Sequence, residues 1–201
     1  MPWFSYHGGH SGQFARHAEG SLQEVVESAI RAGFSTYGLS EHAPRYRPED
    51  LFPDESDLTP EDLVRMFEEY VQTALALRDR HADRIELLIG FETEVLPPQS
   101  WLERMRELRH RHPEFDYVVG SVHHLDGASI DMHPKVTARV AREVGGRETL
   151  ERLYFDQVAE MVEQLRPEIV GHFDLIRKFD GDGASFGPET WVHIERALEA
   201  V

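Results

Sequence analysis

Short apolar runs alternate with helical patterns along most of the chain, and four of the runs end beside a residue that can bind a metal. These runs cover residues 38–42, 87–92, 117–123 and 168–172. Each is followed by a loop and then by a helical pattern, which is typical of a β/α unit. In a parallel β/α array the residues that follow the strands share one rim, where barrel enzymes keep their catalytic groups. The pattern predicts an α/β metalloenzyme.

Local start and stop signals define the individual elements. Ser21 and Glu24 form a capping box that opens a helix ending at Gly33, and Thr59-Pro60 opens the longest helix. The predicted strands cover residues 3–7, 36–40, 85–91, 117–122 and 169–171, and further helices cover 101–111, 147–164 and 188 onward. This order predicts a β/α unit repeated about five times.

Residues 43–58 separate the second predicted strand from the longest helix. The segment contains three prolines and many charged residues, so it lacks the apolar periodicity of a helix or strand. Structureless loops of this length inside a domain are usually functional. We therefore predict that residues 43–58 form a lid over the rim that carries the metal-binding residues.

Composition narrows the class of protein. A chain of 201 residues suits one domain over 1–201, and its formal charge of −16 disfavours nucleic acid and anionic membranes as partners. The absence of cysteine leaves nitrogen and oxygen as metal ligands. The first ten residues lack a secretory signal pattern and no run reaches membrane length, which predicts a cytoplasmic location.

The last predicted element is an amphipathic helix over 189–201, with apolar positions Trp191, Ile194, Ala197, Leu198 and Val201. No strand pattern follows it within the 201 residues. A closed barrel typically needs about 250 residues. We therefore expect the domain to be incomplete at its C-terminus.

Five motifs together resemble a known superfamily. They are HSGQF at 10–14 with His17 following, SEH at 40–42, GFE at 90–92, GSVHH at 120–124 and GHFDLIRKF at 171–179. In order and spacing they resemble the polymerase-and-histidinol-phosphatase (PHP) superfamily, and within it most closely the histidinol-phosphatases of histidine biosynthesis. The resemblance extends from about residue 4 to residue 180.

The resemblance implies a distorted (β/α)7 barrel of the TIM-like type, here C-terminally truncated, with up to three divalent metals at its C-terminal rim. It implies hydrolysis of a small phosphate monoester, L-histidinol phosphate, and nitrogen and oxygen ligands suit Zn, Mn or Fe. Glu92, His123 and Arg177 are the candidate catalytic residues. Carried over by position, Glu92 bridges the first two metals, His10 binds the first, His123 and His172 bind the second, and His17 and His42 bind the third.

Two departures from the family pattern leave alternatives open. The family ends in an aspartate and a histidine that contribute to the first and third metals, and the 201 residues contain no counterpart. The family also has His-x-His where this chain reads His7-Gly8-Gly9-His10. Without a gap, Gly8 takes the first ligand position and His7 faces away, whereas a bulge at Gly8-Gly9 turns His7 onto the ligand side. His10 is the stronger candidate of the two.

The substrate needs positive charge at the site. A phosphate dianion is repelled by a protein of charge −16 unless clustered divalent ions attract it and lower the pKa of a bound water. Arg177 or Lys178 is the candidate for the remaining phosphate charge, with Arg45 and Arg47 as weaker ones. The alternative for Arg177 is a structural ion pair with a neighbouring aspartate, Asp174 or Asp180.

The remaining polar residues receive lesser roles. Glu94 and Asp174 are predicted to orient the imidazoles. His124 and His133 stay open, and four histidines in charged helical patterns are expected on solvated faces: His81, His110, His112 and His193. The alternatives to histidinol phosphate hydrolysis are hydrolysis of another phosphate ester and an inactive, truncated metal-binding protein. Polymerase-associated members of the superfamily are disfavoured because this chain lacks basic clusters.

Overall fold

The computed structural model describes residues 3–181 and 185–201. These residues divide into two compact units. The first comprises Met1–Thr93 and Glu107–Val119, and the second comprises Glu94–Arg106 and Gly120–Val201. Among the helices of these described residues, none has both the length and the apolar character that a membrane span requires.

The first unit is built on a parallel sheet. Its strands lie in the order β1 (Trp3–Ser5), β2 (Phe34–His42), β3 (Glu86–Glu92) and β4 (Tyr117–Gly120). Helix α1 (Leu22–Ala32) connects β1 to β2, and α2 (Pro60–His81) connects β2 to β3. The boundary between the units falls within α3 (Trp101–Arg111). Parallel strands joined by helices confirm the predicted α/β class.

The predicted start signals of the two helices are confirmed. Ser21 accepts a hydrogen bond from the backbone N–H of Glu24, whose carboxylate accepts one from the backbone N–H of Ser21 at 2.7 Å. Thr59 and Asp62 make the same reciprocal pair at the start of α2. The predicted apolar stripe of α2 is buried throughout: Leu63, Phe67, Tyr70, Val71, Ala74 and Leu77.

The register of the sheet aligns the ends of β2 and β3. His42 is paired with Glu92, so a histidine and a carboxylate lie side by side at the carboxyl ends of neighbouring strands. The buried hydroxyl of Tyr70 supports this register because its single O–H lies within hydrogen-bonding distance of the carbonyl oxygens of Leu39 (2.8 Å) and Gly90 (2.6 Å), one on each strand. Burial raises the pKa of Tyr70 well above its ordinary value, so it stays a donor.

The second unit is mainly helical. A hairpin of β5 (His124–Leu125) and β6 (Ala128–Ser129) precedes α4 (Pro134–Glu143), and α5 (Arg147–Leu165) packs against α6 (Pro188–Ala200). The short strand β7 (Ile169–Val170) lies between these two helices in the sequence. Just after it, the backbone N–H of Gly171 donates to the carbonyl oxygen of Gly120 at 2.9 Å. The hairpin and α4 were not predicted.

Several sequence predictions differ from the structure in detail. The strand predicted over 117–122 ends at Gly120, and the segment 43–58 contains two single turns of 3-10 helix, Pro48–Asp50 and Pro53–Glu55. In α6, Ile194 and Ala197 are buried, but Trp191 and Leu198 remain about half exposed at 49% and 56%. The apolar stripe of α6 is therefore wider than the face that the second unit covers.

The prediction that His81 and His112 lie on solvated faces was wrong. Both are buried, because His81 ends α2 where the chain turns back into the sheet, and because the ring of His112 packs against Phe67 and Phe115. The nitrogens of His112 lie 3.3 Å from Glu68 and 3.1 Å from Glu114. The buried ring is thus held between two carboxylates.

Candidate metal centre

Glu92 ends β3 and has the densest set of imidazole neighbours in the first unit. Its side chain is 1% exposed, and its two oxygens face three histidines. The distances from Glu92 are 3.0 Å to Nε2 of His10, 3.4 Å to Nδ1 of His42 and 3.5 Å to Nε2 of His7. Together with His17, these residues are called the first-unit cluster below.

His17 joins the cluster through the other two histidines. His10, His17 and His42 each offer a ligand atom within 4.8 Å of the others. Their rings are also close, with centroids 5.2 Å apart for His10 and His17 and 4.0 Å apart for His10 and His42. The fold of the first unit therefore gathers three of the histidines named from the sequence around one carboxylate and places His17 beside two of them.

The direction of His7 follows the bulge hypothesis. Its Nδ1 lies 2.7 Å from the hydroxyl of Ser40, and its Nε2 faces Glu92. Gly9 has φ +84°, a conformation that favours glycine and that redirects the chain between His7 and His10. A Cβ at Gly8 would lie 2.3 Å from the ring of Tyr37. Position 8 thus has no room for a ligand side chain, and the ungapped hypothesis that His7 faces away is wrong.

The carboxylates set the protonation of His10. Burial disfavours its imidazolium form, but hydrogen bonds to Glu41 and Glu92 and the charges of both carboxylates outweigh burial and raise the pKa of His10 from 6.5 to about 9. In the metal-free protein His10 is therefore cationic at neutral pH. A metal that binds its Nε2 must displace a proton.

Glu41 is the residue of this site that the sequence argument missed. It is 3% exposed on β2, and one of its oxygens accepts hydrogen bonds from the N–H (2.8 Å) and the hydroxyl (2.7 Å) of Ser11. Its other oxygen lies 3.3 Å from Nδ1 of His10. An acidic residue at the end of a predicted parallel strand was the available signal, since such strands are usually buried on both faces and buried acids need partners.

The second unit holds a histidine pair of its own. Nε2 of His123 and Nε2 of His172 lie 3.2 Å apart. Glu94 is fully buried, and one of its oxygens lies 3.5 Å from Nδ1 of both His123 and His124. Glu94 therefore lies where a carboxylate would orient these imidazoles, and that role stays a prediction. Asp174 precedes the short 3-10 helix Leu175–Arg177, and its orienting role stays a prediction.

The candidate phosphate-binding arginines are already paired with carboxylates. Arg177 forms an ion pair with Asp180, and its guanidinium stacks 4.4 Å from the ring centroid of Phe186. Within the first unit, Arg45 pairs with Glu55 and Arg47 pairs with Asp50. The geometry agrees with the structural alternative for Arg177, and its contact with phosphate stays a prediction.

The donor sets fit a borderline divalent cation. Metal–nitrogen bonds of 2.0–2.1 Å in a tetrahedral zinc site place two ligand atoms about 3.4 Å apart. The separations of 3.0 and 3.4 Å from Glu92 to His10 and His42, and of 3.2 Å between His123 and His172, are close to this spacing. Imidazole and carboxylate ligands suit Zn, Mn or Fe. Both units thus contain residues that fit a metal.

Comparison with known proteins identifies the family. A model described as the PHP domain matches residues 7–201. A probable histidinol-phosphatase of Schizosaccharomyces pombe is 42% identical over 176 residues, which cover 87% of this chain and 57% of that protein. The histidinol-phosphatase of Saccharomyces cerevisiae is 29% identical over 186 residues, covering 86% of this chain and 55% of that protein. No solved structure matches the chain significantly.

The chain spans 55% to 57% of the length of these two relatives. The matches confirm the resemblance inferred from the five motifs and the PHP-type α/β fold class that it implied. Because the domain model covers residues 7–201 and the S. pombe protein is 42% identical, this protein belongs to the PHP domain family.

Proposed function

We propose that this protein is a metal-dependent phosphomonoesterase that hydrolyses L-histidinol phosphate to L-histidinol and inorganic phosphate. The observation that carries the proposal is the first-unit cluster, in which three imidazole nitrogens lie within 3.5 Å of the buried carboxylate of Glu92. The choice of substrate rests on the names of the relatives, which are histidinol-phosphatases.

The proposed ligands are the residues that the resemblance singled out. In the first unit Glu92, His10, His42, His17 and His7 would hold divalent metal, and in the second unit His123 and His172 would do so. Up to three Zn, Mn or Fe ions would bind in the complete enzyme. When bound, such ions neutralise a phosphate dianion and lower the pKa of a coordinated water so that it attacks at neutral pH.

The side chains of the cluster prepare it for that chemistry. Glu92 supplies the negative charge that offsets bound cations, and its burial keeps bulk water from screening that charge. His7 is held by Ser40 through Nδ1, which leaves its Nε2 directed at Glu92. A site preset in this way needs little rearrangement to bind a cation.

The proposal is tested by phosphate release from histidinol phosphate, measured beside a panel of other phosphate monoesters after chelation and after addition of Zn, Mn or Fe. We expect metal-dependent release that is fastest with histidinol phosphate and is lost in Glu92→Gln. Glu86→Gln is the matched control because Glu86 begins the same strand and is exposed. Equal rates across the panel would indicate another phosphate ester, and bound metal without turnover would indicate an inactive member.

A further inference from the structure

Glu41 lies behind His10, on the side away from Glu92. Its Oε1 is fully occupied by Ser11, which donates both its N–H and its hydroxyl, and Ser11 itself is 0% exposed. Its Oε2 is 3.3 Å from Nδ1 of His10. Across residues 3–181 and 185–201, neither this oxygen nor this nitrogen has a satisfying hydrogen bond to any other group.

We propose that Glu41 is a positioning residue: it accepts the Nδ1–H of His10 and so fixes the ring in the tautomer whose Nε2 binds a divalent cation beside Glu92. Ser11 holds Glu41 in place through its two hydrogen bonds. This inference rests on the proposed function, because it assumes that His10 is a metal ligand.

The tautomer follows from the two faces of the His10 ring. A neutral imidazole carries one N–H and one lone pair. With the proton on Nε2, the lone pair of Nδ1 would face the buried carboxylate of Glu41 at 3.3 Å and would repel it. With the proton on Nδ1, Glu41 accepts it and the lone pair of Nε2 faces Glu92, 3.0 Å away, where a cation held by both groups would remove their repulsion. Only the second arrangement offers nitrogen to a cation next to Glu92.

The two hydrogen bonds from Ser11 explain how the buried carboxylate of Glu41 can orient the His10 ring. Two donors on one oxygen of Glu41 hold the side chain in place and leave its second oxygen with a fixed direction toward His10. A carboxylate behind a metal-binding histidine orients the ring and raises its basicity, and removal of such a partner typically costs 10–100-fold in metal affinity. Glu94 lies at a similar distance, 3.5 Å, from His123 in the second unit.

The test measures metal affinity in the whole chain by calorimetric titration with Zn²⁺ or Mn²⁺. We expect Glu41→Gln to weaken binding about 10–100-fold. Ser11→Ala, which keeps the charge of Glu41 but removes one donor, should weaken it by a smaller factor. Asp116→Asn is the matched control, because Asp116 also accepts a backbone N–H, from Ile89 at 2.8 Å, but within the described part of the chain its charged partner is Arg78 and not a histidine.

A second readout separates positioning from support of the fold. Nitrogen-15 NMR of the zinc-loaded parent should show His10 protonated at Nδ1 and metal-bound at Nε2. If Glu41→Gln does not fold, Ser11→Ala is measured in its place. Because Ser11→Ala keeps the Glu41 carboxylate, it should retain this protonation pattern. Unchanged affinity in Glu41→Gln, or zinc bound through Nδ1 of His10, would overturn the inference alone. A parent protein that binds no metal would overturn the proposed function and the inference together.

Discussion

Replacing Glu92 by glutamine removes one negative charge from the centre of the first-unit cluster with little change in shape. Oε2 of Glu92 lies 3.0 Å from His10 and 3.4 Å from His42, and the side chain is almost completely shielded from solvent. Glutamine can accept one hydrogen bond there but cannot stabilise an imidazolium by charge. We therefore expect the pKa of His10 to fall in the metal-free variant.

The size of the effect follows from the pKa of His10, which rises from 6.5 to about 9 although burial acts against it. A rise of roughly 2.5 units corresponds to about 3 kcal/mol that favours the imidazolium, shared between Glu41 and Glu92. Loss of one of the two carboxylates should lower the pKa by at least about one unit, or about 1.4 kcal/mol.

The sign of the pH dependence is fixed by the raised pKa. In the metal-free parent, the stability contributed by protonated His10 is fully present below pH 6.5 and is lost as pH rises through about 9. Glu92→Gln removes part of this contribution. The difference in free energy of unfolding between parent and variant that arises from His10 should therefore be largest at and below pH 6.5, and should shrink toward pH 9.

The assay is an NMR titration of the imidazole Cε1–H signals in chelator-treated protein, with His10 assigned by substitution. Glu86→Gln is the control, since Glu86 is on the same strand and its carboxylate accepts a hydrogen bond from Thr36 instead of a histidine. A His10 pKa that remains near 9 in Glu92→Gln would refute the reasoning. An equal fall in Glu86→Gln would show that the effect is not local to the cluster.

Three further predictions concern other residues. Because His7 faces Glu92, His7→Ala should reduce the bound metal measured by elemental analysis about as much as His10→Ala does. Metal content in His7→Ala within about threefold of the parent would contradict this. Arg177→Ala should lower the free energy of unfolding by about 1 kcal/mol without loss of metal, since Arg177 is paired with a carboxylate. A roughly tenfold higher KM at unchanged stability would show instead that Arg177 binds the phosphate of the substrate. Tyr70→Phe should cost about 1–3 kcal/mol in chemical denaturation because it removes the one buried O–H that the carbonyl groups of Leu39 and Gly90 share. Unchanged stability would show that this hydroxyl does not stabilise the sheet.

Most of the helices and strands, though not the hairpin or α4, and the family motifs were predictable from the sequence because their signals are local. The capping pairs at Ser21 and Thr59 satisfy backbone groups within three residues, and the stripe of α2 follows the period of a helix. Glu92 and His42 end parallel strands, so their proximity follows from topology. Local hydrogen bonding and strand order were therefore enough to predict the α/β class and the pairing of Glu92 with His42 at the centre of the candidate site.

Only the tertiary structure decided the contacts that depend on loop direction and on residues distant in sequence. The turn of His7 toward Glu92 depends on the positive φ of Gly9 and on packing of Gly8 against Tyr37. The partner of Glu41 was identified only in the structure, where Ser11, 30 residues earlier, donates to it. Sequence periodicity specifies which face a side chain occupies, but a polar partner from another element is brought within hydrogen-bonding distance only when the elements pack.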